Sequence, residues 1–168
     1  GAEEANKITK KATTRGTKFH QHVEDYLRRE KEEIIFENVL QEGMFKAVQP
    51  VLDEIIPIAL EAPLYSNELR MAGRVDCVGL WENELSIIDF KSSAKLKKEY
   101  MAKPWYIQMT AYAIMVEELT GHAVDNITAI VVNLDRVFYH PIHLFALLDR
   151  DSFCFFVFWN YSFHTYFK

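Results

Sequence analysis

Hydrophobic and polar positions follow a helical period in the first third of the chain. Over residues 17–32 the recurring apolar or aromatic positions are Phe19, Val23, Tyr26 and Leu27. This spacing predicts an amphipathic helix, which a threonine at position 13, 14 or 17 could cap. A second helical stretch, residues 34–60, contains Pro50 and Pro57. Because proline removes a helical hydrogen bond, we expect a break near Pro50.

The middle of the chain has the pattern of strands. Residues 64–71 read as one strand, and residues 74–81 and 85–91 read as a hairpin closed by the turn 82–84. Pro104 suits the first turn of a helix over residues 104–119, and Gly121 is a suitable stop for it.

The last third continues with strands and ends in an aromatic segment. Residues 127–134 predict a buried strand, and residues 137–144 predict an edge strand interrupted by Pro141. Residues 153–167 carry nine aromatic side chains and predict a helix capped by Asp149 or Asp151. Because its polar positions do not share one face, we expect it in the core or at a partner interface, not as a platform for stacking bases.

This order of elements predicts one fold class. Helix, helix, three strands, helix, two strands and helix indicate a mixed α/β fold, with a central mixed sheet and helices on both faces. A length of 168 residues fits one domain over residues 1–168. No apolar run is long enough to span a membrane, and residues 1–16 lack the apolar core of a secretory signal.

Charge and cysteine content narrow the function classes. The net charge is −5, which argues mildly against nucleic acid, but the basic residues are clustered. One cluster comprises Lys7, Lys10, Lys11, Arg15 and Lys18, and the other comprises Lys91, Lys95, Lys97, Lys98 and Lys103. Two cysteines are too few for a four-cysteine zinc or iron–sulfur site, and we expect buried thiols in a reducing compartment.

The predicted hairpin brings candidate chemistry together. With the turn centred near Asn83, Asp76 is predicted to lie beside Asp89 or Phe90 on the neighbouring strand. Period-two alternation puts Asp89 and Lys91 on one face, together with Ile87. Chance alone supplies about one or two acid-x-Lys triplets in such a chain, so the convergence matters more than the triplet.

Two adjacent carboxylates favour a divalent cation between them. Mg²⁺ takes one or two carboxylates, keeps several waters and binds phosphate. Such an ion polarises a phosphoryl oxygen and acidifies a bound water. Lys91 is placed to orient that water and to neutralise charge that develops on phosphorus. The arrangement therefore predicts phosphodiester hydrolysis, although a surface charge pair of no function has the same composition.

Several segments resemble one nuclease family. They are GRVDCVG at residues 73–79, IIDFKSS at residues 87–93, a Gln-x-x-x-Tyr pair at Gln108 and Tyr112, and a Gly-x-x-x-His-x-x-x-Glu segment from Gly16 to Glu24. Together they are similar to the RecB-type exonuclease branch of the PD-(D/E)XK nucleases, which includes mitochondrial and phage exonucleases. Val75 stands where the family name has proline.

The resemblance implies a restriction-endonuclease-like core and a role for each matching residue. His20, Asp76, Asp89 and the carbonyl of Phe90 would bind Mg²⁺ or Mn²⁺. Lys91 would be the catalytic lysine. Gln108 and Tyr112 would support the site or contact phosphate. A lone histidine on an amphipathic helix is usually structural, and the motif favours a ligand role for His20 but not for its neighbour His22.

The resemblance also implies a substrate and a setting. We expect a DNA exonuclease acting on single-stranded ends, with replication or recombination proteins as possible partners. The expected location is the cytoplasm of a bacterium or phage-infected host, or the mitochondrion if a transit peptide has been removed. Two alternatives stay open: an endonuclease of the same superfamily, and a catalytically silent DNA-binding or assembly module. Glu68 is a further candidate acid, although an exposed glutamate is the simpler interpretation.

Overall fold

The structure is a computed structural model that describes residues 1–31, 33–93, 102–133 and 137–143, the last six of these by their backbone alone. The predicted aromatic helix over residues 153–167 lies outside the described residues, as does the basic segment 95–98. One domain over residues 1–168 therefore stays a prediction.

Three helices and five strands follow one another in the described chain. They are α1 (Ala2–Arg28), α2 (Val39–Leu52), β1 (Ile56–Ser66), β2 (Met71–Trp81), β3 (Glu84–Ser92), α3 (Lys103–Thr120), β4 (Asn126–Val132) and β5 (Val137–His143). The strands form one sheet in the order β1-β2-β3-β4-β5. Among the described strands, β3 and β4 alone run parallel, and α3 provides the crossover that a parallel pair needs. The predicted mixed α/β class is confirmed.

The helices cover both faces of the sheet, as predicted. On one face, Phe19 and Val23 of α1 and Val48 of α2 pack against Ile88 and Ile130. On the other face, α3 packs through Met109, Tyr112 and Met115 against a second core that includes Ile87 and Ala129. In β3, Ile87 belongs to the core under α3 and Ile88 to the core under α1 and α2, so successive side chains point to opposite faces of the sheet.

The β2–β3 hairpin is confirmed. Its ladder runs from the pair Trp81–Glu84 to the pair Cys77–Ile88. Glu82 and Asn83 form the two-residue turn, and both have left-handed backbones, with φ of 54° and 65°. Such a turn matches the right-handed twist of the two strands that it joins.

The predicted third helix is also confirmed. Pro104 lies in the first turn of α3, where its missing N–H is not needed. Gly121 follows the last turn with φ 75°, and its N–H donates to the Glu117 carbonyl. Glycine adopts this left-handed conformation without steric cost, which explains the end of the helix.

Several predicted boundaries of the first helices and strands are wrong. Helix α1 starts at Ala2, fifteen residues before the predicted residue 17. The second helix ends at Leu52, which confirms the break predicted near Pro50, but the chain from Ile56 onward forms β1 and not a continued helix. Pro57 is tolerated there because β1 is an edge strand, where a ladder donor can be missing.

The predicted strand over residues 64–71 is divided by a turn. β1 ends at Ser66 and β2 begins at Met71. A Glu118 side-chain oxygen on α3 accepts hydrogen bonds from the backbone N–H groups of Asn67 (3.0 Å) and Glu68 (3.4 Å). These bonds satisfy backbone donors that a continuous strand would have paired. Glu68 is exposed in this turn, which agrees with the simpler interpretation of it.

Among the described helices, none is both long and apolar enough to cross a membrane.

Candidate active site

The regular alternation of β1 breaks at Glu61. Leu60 packs toward the core under α1 and α2, whereas Ala62 packs toward the core under α3. In a regular strand, residues 60 and 62 would share one face. Glu61 between them has a left-handed backbone, with φ 49°, which is uncommon for a residue other than glycine. This local irregularity changes the direction of the strand's side chains at one position.

The neighbouring strand β2 breaks at the same level. Val75 packs toward the α3 core, and Cys77 packs toward the core under α1 and α2. The pairs Leu60–Cys77 and Ala62–Val75 flank Glu61 and Asp76, so the two acids face one another across the β1–β2 ladder. Irregular strand positions that are kept in a folded protein are often found at functional sites.

Asp76 lies where β2 separates from β3. The ladder between these strands ends at Cys77–Ile88, and Asp76 replaces the next strand-to-strand contact: its Oδ2 accepts the Phe90 backbone N–H at 2.9 Å. The prediction that Asp76 would lie beside Asp89 or Phe90 is thus met by a direct contact to Phe90. Burial raises the pKa of Asp76 to about 7, with a further contribution from the nearby negative charge of Asp89.

Asp89 and Lys91 share a face of β3, as predicted. The Lys91 Nζ donates to Asp89 Oδ1 at 2.6 Å. The other oxygen of this carboxylate, Oδ2, is buried and has no hydrogen-bond partner among the residues that the structure describes. Burial raises the pKa of Asp89, and the Lys91 charge opposes that shift. A buried carboxylate oxygen without a partner is unfavourable, so Oδ2 is suited to a ligand that the protein itself does not supply.

His20 reaches the same place from α1. Its Nδ1 lies 3.4 Å from Asp76 Oδ2, and the imidazole is about 29% exposed. Burial and the nearby Lys91 charge lower the pKa of His20, which favours the neutral imidazole that binds metals. By contrast His22 is buried against the Phe36 ring, with centroids 5.0 Å apart, and is a packing residue.

These side chains form a candidate metal centre. One ligand atom from each of His20, Glu61 and Asp76 lies within 4.8 Å of the others. Asp89, which was predicted as a ligand, is not one of these three residues, so its role as a ligand to the same ion stays a prediction. Oxygen-rich donors with one imidazole suit a hard divalent cation. The residues present therefore fit the divalent cation that the sequence resemblance implies.

Glu61 was missed by the sequence analysis. The stretch that contains it was predicted to lie at a helix–strand junction, which gives no reason to align Glu61 with Asp76. The β-branched residues around Pro57 were a signal for an edge strand, and a strand here would have paired with the hairpin. No sequence signal indicates the left-handed backbone at Glu61. Burial raises the pKa of Glu61, and Asp76 adds to the shift.

Gln108 and Tyr112 stand one helical turn apart on α3. The Gln108 Nε2 donates to the Tyr112 Oη at 3.0 Å. The Tyr112 ring is packed so closely over Gly73 that a Cβ there would lie 2.6 Å from Tyr112 Cε1. The pair is thus tied to β2 three residues before Asp76. A direct role of either residue at the reacting phosphate remains a prediction, as does the role of the Phe90 carbonyl.

Comparisons with known proteins identify the family of the chain. A sequence profile of the PD-(D/E)XK nuclease superfamily matches residues 2–153. Mitochondrial genome maintenance exonuclease 1 of Homo sapiens is 30% identical over 99 residues, which cover 58% of this chain and 29% of that protein. The Xenopus tropicalis protein of the same name is 35% identical over 85 residues, covering 50% of this chain and 24% of the relative.

The matched part of the chain spans less than a third of these curated relatives. The profile match is much broader, because it includes all the helices and strands that carry His20, Glu61, Asp76 and Lys91. The chain belongs to the PD-(D/E)XK nuclease superfamily.

Proposed function

We propose that this chain is a metal-dependent DNA exonuclease that hydrolyses phosphodiester bonds from single-stranded ends. The observation that carries the proposal is the buried carboxylate of Asp89, near His20 and Asp76: Lys91 contacts one of its oxygens, and the other has no partner among the described residues. The relatives named above are exonucleases, which supports action from ends.

In this proposal the acids and His20 hold a divalent cation. Asp76 and Asp89 supply carboxylate oxygens, His20 supplies a ring nitrogen, and Glu61 and the Phe90 carbonyl complete the set of candidate donors. Mg²⁺ and Mn²⁺ both suit such donors. When bound, the ion would polarise the scissile phosphate and acidify a water molecule.

The protein's own residues supply the rest of the chemistry. Lys91 carries a positive charge 2.6 Å from Asp89. From there it would hold the attacking water and stabilise the negative charge that grows on the phosphoryl oxygens. Gln108 and Tyr112 would support β2 and contact the phosphate backbone. The basic residues of α1 are exposed or partly exposed and would attract nucleic acid.

The proposed setting follows from the relatives and from the expected substrate. A mitochondrial location is one candidate, and the cytoplasm of a bacterium or of a phage-infected host is the other. Replication or recombination proteins are the expected partners.

A digestion experiment tests the function. Linear single-stranded DNA, labelled at one end and blocked at each end in turn, is incubated with the protein and Mn²⁺, with EDTA as the metal-free control. We expect stepwise shortening that stops when the entry end is blocked. Closed circular single-stranded DNA should stay intact. Cleavage of the circle would favour the endonuclease alternative, and DNA binding without any cleavage would favour the silent module.

A matched pair of variants assigns the activity to the site. Lys91→Ala should abolish shortening. Lys46→Ala, which removes an exposed lysine on α2, should leave it unchanged. Equal losses of cleavage activity in both variants would show that the activity does not depend on this site.

A further inference from the structure

The backbone of Glu61 requires support. Its φ of 49° is unfavourable for a residue with a side chain, and its neighbours on both sides stay paired with β2. Such conformations persist only where the surrounding structure holds them. The contacts of the residue just before it, Leu60, are therefore of interest.

Arg28 contacts the strand at that point. From the last turn of α1, its Nη2 donates to the Leu60 carbonyl at 3.2 Å. The Nε of the same guanidinium donates to Oε1 of Glu24 at 2.8 Å, and Nη2 forms an ion pair with that oxygen at the same distance. A planar guanidinium held by a carboxylate has a fixed orientation, which a flexible lysine would not have. The Glu24–Arg28 pair is thus built to hold the β1 backbone in one place.

The pair stands in line with a candidate metal ligand. His20, Glu24 and Arg28 are spaced four residues apart and lie along one side of α1. His20 contacts Asp76, and Arg28 contacts the peptide unit that leads into Glu61. One helix therefore contacts both Asp76 and the peptide unit before Glu61. Glu24 is the glutamate of the Gly-x-x-x-His-x-x-x-Glu segment, and orienting Arg28 would be its role.

We infer that Arg28, oriented by Glu24, is a positioning residue. It holds the left-handed backbone of Glu61 in place and thereby presents the Glu61 carboxylate to the metal centre. The inference rests on the proposed function, because it counts Glu61 as a cation ligand. The simpler alternative is that the Glu24–Arg28 pair only fastens α1 to the edge of the sheet.

The affinity for Mn²⁺ distinguishes these two roles of Arg28. It is measured from the electron paramagnetic resonance signal of the free ion. The full chain is compared with Arg28→Gln, Glu61→Gln and the double variant. Lys46→Gln is the matched control, since it removes one partner of another exposed i,i+4 pair, with Glu42. Residues that orient metal ligands change affinity by about 10- to 100-fold. We expect Arg28→Gln and Glu61→Gln each to weaken binding by about tenfold, and Lys46→Gln to leave it unchanged.

The double variant is the decisive measurement. If Arg28 acts through Glu61, Arg28→Gln should weaken binding no further once Glu61 is Gln. Full additivity of the two losses, or an unchanged affinity in Arg28→Gln, would overturn the inference. So would an unchanged affinity in Glu61→Gln. If Arg28→Gln fails to fold, Glu24→Gln takes its place in the same comparison, with a smaller expected loss.

The wild-type chain shows which proposal has failed. If it does not bind Mn²⁺, the proposed metal-dependent function falls, and the inference falls with it. If it binds Mn²⁺ and loses affinity in Asp89→Asn while Arg28→Gln is unaffected, only the positioning role is excluded.

Discussion

The two halves of the β2–β3 hairpin differ in what holds them together. The half next to the turn has five ladder pairs and buried apolar residues such as Ile87 and Ile88. In the other half the ladder ends, and Asp76 and Asp89 bring two carboxylates into a largely buried space beside Lys91.

Within this one hairpin, the half next to the turn contributes stability and the other half carries the candidate catalytic groups; we call them the turn half and the site half. The turn half is held by backbone pairing and apolar burial, both of which favour the folded state. The site half places ionisable groups where their charged forms are disfavoured, and burial raises the pKa values of both Asp76 and Asp89. It is held in place from outside, by His20 on α1 and by Tyr112 on α3. Four substitutions test this contrast.

Lys91→Ala is expected to have the largest effect. Removing one group that stabilises developing charge in a transition state lowers the rate by about 10²–10³-fold. Single-turnover cleavage of end-labelled single-stranded DNA measures the loss, with Lys46→Ala as control. The fold should be retained, because Lys91 does not contribute to either apolar core. An unchanged rate would remove Lys91 from the mechanism.

Asp76→Asn should stabilise the metal-free protein at high pH. The folded-state pKa of Asp76, about 7, lies above its usual value near 4, so between these values the folded state binds more protons than the unfolded state. The unfolding free energy should therefore fall as the pH rises from about 4 to 7. The variant lacks this contribution and should gain about 2–4 kcal/mol relative to wild type at pH 8.

Urea denaturation in EDTA at pH 5 and pH 8 measures this difference. The gap between variant and wild type should be smaller at pH 5. A gap that is the same at both pH values would show that Asp76 is not the group responsible.

Gly73→Ala should destabilise the site half of the hairpin. A Cβ at this position would lie 2.6 Å from the Tyr112 ring, which is buried in the α3 core and cannot move freely. Overpacking of this kind lowers stability by about 1–3 kcal/mol. Gly43→Ala is the control, because nothing lies within 4 Å of its added Cβ and alanine favours the helix there. Equal stability changes in the two variants would contradict the close packing of Tyr112.

Asn83→Ala should have the smallest effect and should be confined to the turn half. Its φ of 65° is unfavourable for alanine, by about 1 kcal/mol. Thermal unfolding should report this loss, while the Mn²⁺ affinity and the cleavage rate stay at the wild-type values. A loss of Mn²⁺ affinity would mean that the two halves are not independent.

The contrast also explains what the sequence predicted well. The hairpin, α3 and the alternation of β3 were predictable because each follows from local periodicity and turn residues. The same alternation predicted that Asp89 and Lys91 share a face. The family was predictable because its motifs occur in order from Gly16 to Tyr112, and the profile match confirms it.

What could not be predicted depends on contacts between distant segments. Glu61 joins Asp76 only because β1 pairs with β2 and because one backbone angle is left-handed. The approach of Tyr112 to Gly73 depends on how α3 packs on the sheet. The start of α1 at Ala2 was missed because its first residues are exposed and polar, so they carry no hydrophobic period.

The two-residue turn at Glu82 and Asn83 has a practical consequence. It lies about 20 Å along the strand from Asp76, at a rise of about 3.3 Å per residue. The register of the ladder begins after the turn, so extra residues looped out between positions 82 and 83 would leave every pair from Trp81–Glu84 to Cys77–Ile88 as it is. An affinity tag or a fluorescent label inserted at this tip would therefore be remote from the candidate metal centre.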